Sequence, residues 1–492
     1  MSSAPDYEDA YVFPLSHAQE RLWYVEQLTP GLAAYNVPLA VRLTGRLDRA
    51  ALAAALQGVV ARHEALRTGF RTEAGRPVQV IAPAEDVKVA LPRVDLAALA
   101  PDDLEGRERR EREVARLAAE EAGAAFDLRR SPLLRARLLA LGAAEHVLLL
   151  TLHHIVSDRW SMGVLMGELA ALYAGAPLPA LPLQYADYAV WQREWLAGEV
   201  LATQLSYWRE RLADLPGLDL PVDRRRPSES GAGGSDHSGG QVAMELEADL
   251  AVGLQALSRE AGATLFMTLL AAFLVVLARA GGQDDLAVGT AVANRGRREI
   301  EGLIGFFVNT LVLRVSLTGE PSFRQLLARV REVALGAYDH QDLPFERLVE
   351  ELRPARNTGN IGNTGNIGAN GDTGDTGDTG RPPLVRVTFL LQNTPLPTLH
   401  LPGLALAEVP VETATAKFDL SVSMTEHGEG ITGIWSYDAQ IFTAATIERL
   451  AGLYRRLLAA ALADPGASVF ALPLAAEDEM ARLLSDFSRP LA

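Results

Sequence analysis

The chain has 492 residues, 48% hydrophobic and 22% charged, a balance that fits a folded globular protein and, at this length, more than one hydrophobic core. A formal net charge of −16 argues against a nucleic-acid partner, which needs a basic surface, and the lack of any cysteine removes disulfides, thiolate nucleophiles and thiolate metal sites. No uninterrupted apolar run reaches the roughly 18 residues of a membrane span, and the N-terminal stretch carries acids and Pro14 rather than a signal peptide, so a cytoplasmic protein is the default expectation.

Residues 15–28, LSHAQERLWYVEQL, place apolar side chains at helical spacing behind Ser16, a residue suited to capping a helix. AVRLTG (40–45) reads as a strand. Residues 47–68 read as an amphipathic helix with Leu52, Leu56, Val59 and Leu66 on one face. HVLLLTLHH (146–154) is a continuous apolar run of strand length, as expected of a strand buried on both faces. A helical pattern begins at Ser161 and stops at Gly175, so HHIVSDRWSMG (153–163) lies on a strand–loop–helix junction. The proline-rich APLPALP (176–182) marks a boundary between lobes.

A long helical stretch follows to about Leu215, and then a Gly/Ser-rich segment, 224–240. Its Ser-Asp-His run is read as linker, because consecutive residues of a flexible loop cannot take triad geometry. TLFMTLLAAFLVVLARA (264–280), the most apolar stretch, is short and ends at Arg279, which predicts a buried core helix. DDLAVGTAVANR and VNTLVLRVSL contain strands. Residues 357–380 are triplets that each end in glycine. They hold no proline for a collagen-like helix and lack the liganding pattern of a calcium loop, so a disordered surface insertion is expected. RPPLVRVTFLLQN resumes as a strand.

Adjacent side chains of a strand point to opposite faces, so His153 and His154 cannot both face one cavity, and one is expected to be structural and the other functional. That divergence also makes them a poor chelate, and no metal site is expected. Taken alone, the pair fits two hydrogen-bonded core histidines better than a functional pair, and Asp158 fits a helix-start charge or an ion-pair partner that shapes the loop.

HHIVSDRWS resembles the HHxxxDG signature of condensation domains of nonribosomal peptide synthetases, in the wider chloramphenicol-acetyltransferase-like superfamily. SHAQERLWYVEQL (16–28), RHEALRTGF (62–70), YADYAVW (185–191), IGFFVNTLVLR (304–314) and HQDLPFE (340–346) are similar to further motifs of that family, in the same order. A last motif is split into RPARN (353–357) and RPPL (381–384) around the glycine triplets. The wording of RHEALRTGF and HQDLPFE resembles the subtype that joins an L-configured or achiral donor to an L-acceptor.

The resemblance implies an α/β fold of two chloramphenicol-acetyltransferase-like lobes in a V, residues 1–178 and 179–471, with the active site in a tunnel between them. Residues 472–492 resemble the start of a linker to a following adenylation domain. The implied activity is amide-bond formation between a donor thioester and an acceptor amine. Both would be presented by upstream and downstream peptidyl carrier proteins on 4′-phosphopantetheine arms, with no cofactor intrinsic to the chain, which is expected to be monomeric as an excised domain. By the same resemblance His154 is the catalytic histidine, while His153 and Asp158 support the site. Arg62 and Arg67 are the candidate ion-pair partners of Asp158, and Trp191 and Asn309 are candidate site-lining residues. Arg159 stands where glycine is usual in the family, and three outcomes stay open: it projects into the tunnel and gates it or restricts the donor, which is the expectation, it turns out to solvent and is neutral, or the domain is inactive. Two other classes stay open: a non-catalytic platform that recruits partner enzymes, and a free-standing acyltransferase that uses coenzyme A.

Overall fold

The computed structural model of the chain describes residues 10–99, 103–224, 238–352, 384–392, 401–411, 416–428 and 430–473. The Ser-Asp-His run, the glycine triplets 357–380, the RPARN motif and the tail from 474 onward lie outside those residues.

The described chain opens with β1 (Tyr11–Pro14) and α1 (His17–Leu28). Ser16 caps α1 as expected: its Oγ accepts the Gln19 N–H while Gln19 Oε1 accepts the Ser16 N–H, so two otherwise unpaired donors are satisfied reciprocally. Next come β2 (Asn36–Gly45) and α2 (Arg49–Arg62). The helix is shorter than its periodicity predicts. His63 turns extended to meet Glu168, and residues 64–67 form a 3₁₀ turn that still delivers Leu66 to the core.

The N-terminal half continues through β3 (Thr68–Glu73), β4 (Arg76–Ile81), β5 (Arg93–Asp95), α3 (Leu104–Gly123), β6 (Leu134–Ala140), β7 (Glu145–His153) and α4 (Arg159–Tyr173). Gly175 takes a φ of 73° just beyond α4, the left-handed conformation that ends helices. The predicted single helical stretch to Leu215 is two helices, α5 (Tyr185–Trp195) and α6 (Gly198–Arg211), because the chain turns at Gly198 with a φ of 55°.

The remainder is β8 (Gly239–Leu246), α7 (Ala248–Glu260), α8 (Leu265–Gly281), β9 (Asp285–Val292), α9 (Arg298–Glu301), β10 (Asn309–Ser316), α10 (Phe323–Asp339), α11 (Phe345–Leu352), β11 (Val387–Gln392), β12 (Leu404–Val409), β13 (Leu420–His427), β14 (Gly430–Asp438) and α12 (Ala444–Ala463).

The strands form three sheets, ordered β1-β4-β3, β12-β2-β7-β6-β5 and β10-β9-β11-β13-β14-β8. In the five-stranded sheet β7 is central and covered on both sides, as its unbroken apolar run predicts. Leu148, Leu150 and Leu152 pack with α2 and α4, whereas Val147 and Leu149 pack with α3. Its edge strand β12 comes from beyond residue 400 and pairs antiparallel with β2, so this sheet draws strands from both ends of the chain.

The six-stranded sheet rests one face on α7, α8, α10 and α12. Residues 269–277 of α8 are almost completely buried, as expected of a core helix. No single helix among the described residues is long and apolar enough to cross a membrane. On the other face of this sheet, Thr388, Ser421 and Ser436 alternate with the core residues Phe389, Val422 and Trp435, and they look into a cavity.

Candidate active site

The site begins where β7 ends. The β2·β7 ladder runs out at the pair Asn36–His153, and the chain turns directly into a 3₁₀ turn at His154. His153 is 3% exposed and packs edge-on against the Phe126 ring. Its Nδ1 accepts the N–H of Ile155 at 3.2 Å, which places its proton on Nε2. His154 carries the opposite tautomer. Its Nδ1 lies 2.7 Å from the Ser157 carbonyl, which can only accept, so Nδ1 holds the proton and Nε2 is left as an acceptor. His154 lines the cavity, with Phe306 stacked at a tilt 4.6 Å from it. Burial, reinforced by the charge of Lys417, pulls its pKa down to about 3, so the ring is neutral across the physiological range.

Asp158 organises the loop beyond. It caps α4 through the Ser161 N–H at 2.8 Å and also accepts the Phe307 N–H at 3.1 Å. Its charge partner is Arg295, whose Nη2 lies 3.2 and 3.4 Å from the two carboxylate oxygens. The pair is buried, with side-chain exposures of 0% and 1%. The candidate partners Arg62 and Arg67 are both corrected by this geometry. Arg62 is held by Glu168 on α4, and Arg67 by Glu64 and the Ala82 carbonyl.

Arg295 also donates from its Nη atoms to the Ile300 and Leu303 carbonyls and to Ser161 Oγ, while its buried Nε has no hydrogen-bond partner among the described residues, and its guanidinium lies 4.0 Å from the Phe307 ring centroid. Ser161 Oγ in turn donates to the Gly305 carbonyl and accepts the Gly305 N–H. The segment 304–307 is thereby fastened to the start of α4.

The motifs that are scattered along the sequence meet here. Tyr185 donates its hydroxyl to the Phe306 carbonyl at 2.6 Å and is 2.8 Å from Ser16 Oγ. Only glycine fits at 305, where an ideal Cβ would stand 1.9 Å from the Tyr185 ring. Arg21 of α1 pairs with Glu346 of α11 at 3.1 Å, joining the first motif to the HQDLPFE segment.

The cavity itself has a volume of about 510 Å³ and is mostly apolar. Arg159, the first residue of α4, is exposed and lines it, with no ion-pair partner among the described residues. Arg295 and Lys417 also belong to the site, and neither stands out in the sequence. The first shows locally only as the end of a strand-forming run, and the second only as a rare lysine.

Neither Trp191 nor Asn309 belongs to the cavity wall. Trp191 stacks on Trp195 at 5.1 Å beneath the Arg297 guanidinium. Asn309 is consumed by the backbone: its amide donates to the Gln341 and Leu343 carbonyls, both at 2.7 Å, and its oxygen accepts the Phe345 N–H. The side chains of Val308 and Thr310, either side of it, reach the cavity instead. Among the described residues no three His, Asp or Glu side chains come together as a metal site.

Arg295→Met leaves Asp158 as a buried carboxylate without a counter-charge and should destabilise the fold by about 3–5 kcal/mol. The double variant Asp158→Asn/Arg295→Met should cost clearly less than the sum of its single changes. Urea unfolding of the four proteins measures both quantities, and a loss below about 1 kcal/mol for Arg295→Met would count against the assigned role.

The profile of the Condensation domain family matches residues 9–362 and 370–484. A linear gramicidin synthase protein of Brevibacillus parabrevis is 44% identical over 484 residues, which is 96% of this chain but 9% of that protein. The chondramide synthase of Chondromyces crocatus is 40% identical over 485 residues, which is 97% of this chain and 12% of that synthase. The chain thus spans a small part of the curated relatives it matches. Among solved structures, the X-domain from teicoplanin biosynthesis superposes with a TM-score of 0.79 at 29% identity, covering 96% of this chain and 99% of that one. The first condensation domain of the calcium-dependent antibiotic synthetase gives 0.73 at 23% identity over 95% of this chain and 99% of that one, a likeness of fold. With a family match across nearly its whole length and the mixed α/β, chloramphenicol-acetyltransferase-like architecture of those neighbours, the chain belongs to the condensation domain family of nonribosomal peptide synthetases.

Proposed function

We propose that the chain forms peptide bonds within a nonribosomal peptide synthetase, with His154 as its working residue. The observation that carries this reading is a neutral imidazole, its Nδ1 engaged by the Ser157 carbonyl, in the wall of the cavity between the two larger sheets. The acceptor α-amine attacks the carbonyl carbon of the donor thioester. The C–N bond forms, the C–S bond breaks, and the amine's proton leaves as the arm's sulfur becomes a thiol. The substrates ride on 4′-phosphopantetheine arms of an upstream and a downstream carrier protein, and the chain supplies no cofactor of its own. Residues 1–178 and 179–471 act as the two lobes of a tunnel, with β12 crossing from the second to the sheet of the first, and 472–492 begin the linker to an adenylation domain in a cytoplasmic assembly line. The motif wording favours an L-donor and an L-acceptor.

His154 acts here mainly by accepting a hydrogen bond that fixes the direction of the amine. An imidazole held neutral down to a pH of about 3 is a weak store for a proton. General-base help is worth about 10²–10⁴-fold, whereas orienting two tethered reactants supplies about 7–11 kcal/mol. His153 and Asp158 hold the loop that presents His154.

A second reading is a recruiting platform, favoured by the near-complete match to a teicoplanin X-domain that was also solved in complex with OxyB. Intact mass spectrometry of loaded donor and acceptor carriers decides between them. Peptide on the acceptor carrier supports condensation, and no transfer supports the platform. Transfer only from coenzyme A thioesters points to a free-standing acyltransferase.

His154→Ala should lower the single-turnover rate by about 100-fold or more, while His153→Ala should mainly lower stability in urea unfolding. An undiminished rate in His154→Ala would remove that residue from the mechanism. Arg159→Gly, which removes a cation from the cavity wall, should speed transfer or widen the range of donors accepted. An unchanged rate and donor profile would make Arg159 a bystander.

A further inference from the structure

Of the 46 basic side chains only Lys88 and Lys417 are lysines, and Lys417 stands in the wall of the cavity that His154 lines. It precedes β13, with its ammonium nitrogen 5.3 Å from the Tyr35 ring centroid. No carboxylate among the described residues pairs with it. The nearby acids are engaged elsewhere: Glu346 holds Arg21 at 3.1 Å, and Asp419 lies 4.0 Å from Arg386. Among the described residues, the charged and titratable groups around this end of the cavity are therefore Arg21 with its partner Glu346, Tyr35, the neutral His153 and His154, Arg159, which has no ion-pair partner among them, and Asp419 on the same segment as Lys417. Lys417 is exposed at the cavity wall, and the desolvation its ammonium still meets there pulls its pKa down to about 8.

A cation that no described carboxylate neutralises, set in the wall of a mostly apolar chamber, opposes any second cation nearby. The acceptor amine is the group that would arrive as one, since a free α-amine has a pKa of about 7.7–8.0. We propose that Lys417 sets the protonation state of the acceptor, so that the α-amine occupies the site beside His154 as the neutral nucleophile. The proton of the ammonium form passes to bulk water as the acceptor enters, and no protein base is needed to remove it before attack. The same charge already presses His153 and His154 toward their neutral forms. Its own titration suits the task. The ammonium persists below a pH of about 8, where a free amine would hold its proton, and it fades above that, where the amine is neutral unaided. This inference rests on the condensation reading proposed above.

The test is the pH dependence of single-turnover peptide formation by the full chain, using the aminoacyl acceptor carrier that reacts best in a panel that includes alanyl and glycyl acceptors. In the unaltered protein the acidic limb of the rate should lie below the titration of the free acceptor amine. Lys417→Met should move that limb upward by about one pH unit, and Lys417→Arg should leave it in place. If circular dichroism shows Lys417→Met to be unfolded, Lys417→Gln takes its place. A merely structural lysine would lower the rate evenly at every pH. A limb that coincides in the neutral variant and the unaltered protein overturns the proposal for Lys417, while failure of the unaltered protein to form any peptide overturns the condensation reading itself.

Discussion

The buried ion pair between Asp158 and Arg295 is the interaction on which the rest of the site depends. A carboxylate removed from water is tolerated only if every lone pair finds a donor, and Asp158 meets that demand with a helix-start amide, a distant amide at Phe307 and a guanidinium. Two of those donors lie 137 and 149 residues from Asp158 in the chain, so satisfying one charge fixes the start of α4 against the 295–307 segment. Such a pair adds little to net stability compared with apolar packing, and what it contributes is a single defined arrangement. His154, four residues before Asp158, inherits its position from that arrangement.

The two histidines show how a strand end distributes roles. β7 is buried on both faces until its last residue, and the turn at His154 then releases one side chain from the strand's alternation. Opposite tautomers follow from the local backbone: an N–H reaches Nδ1 of His153, and a carbonyl reaches Nδ1 of His154. The cavity next to them combines apolar walls, a hydroxyl-bearing sheet face and cations that outnumber anions. In such a chamber neutral hydrogen-bonding groups are favoured over further positive charge, which agrees with a site built to receive an amine and a thioester.

Much of the local structure was legible in the residues. The Ser16 cap, the doubly buried β7, the buried α8 and the strand–loop–helix junction all follow from patterns a few residues long, where backbone sterics and burial act directly. Elements were less legible where a distant partner intervened. α2 ends early because His63 turns toward Glu168, and the helical stretch after 182 breaks at a glycine whose conformation the periodicity does not show. Asn309 and Trp191 sit inside informative motifs, yet the first is a clamp for the backbone at 341–345 and the second a member of an aromatic stack. A motif records that a residue is constrained without recording by what.

The sequence by itself determined the His-His-Asp segment, its place on a strand-to-helix turn, and the ordered set of motifs that mark the family, because each of these depends on neighbours in the chain. Only the tertiary structure decided that Asp158 answers to Arg295 rather than to Arg62 or Arg67, that β12 crosses to the sheet of β2 and β7, and that Lys417, with no carboxylate partner among the described residues, lines the same cavity as His154. Those outcomes are pairings between charges, or between strand edges, that lie far apart in sequence. Ion pairs and sheet edges carry no periodicity of their own, and their partners become known only when the chain has closed on itself.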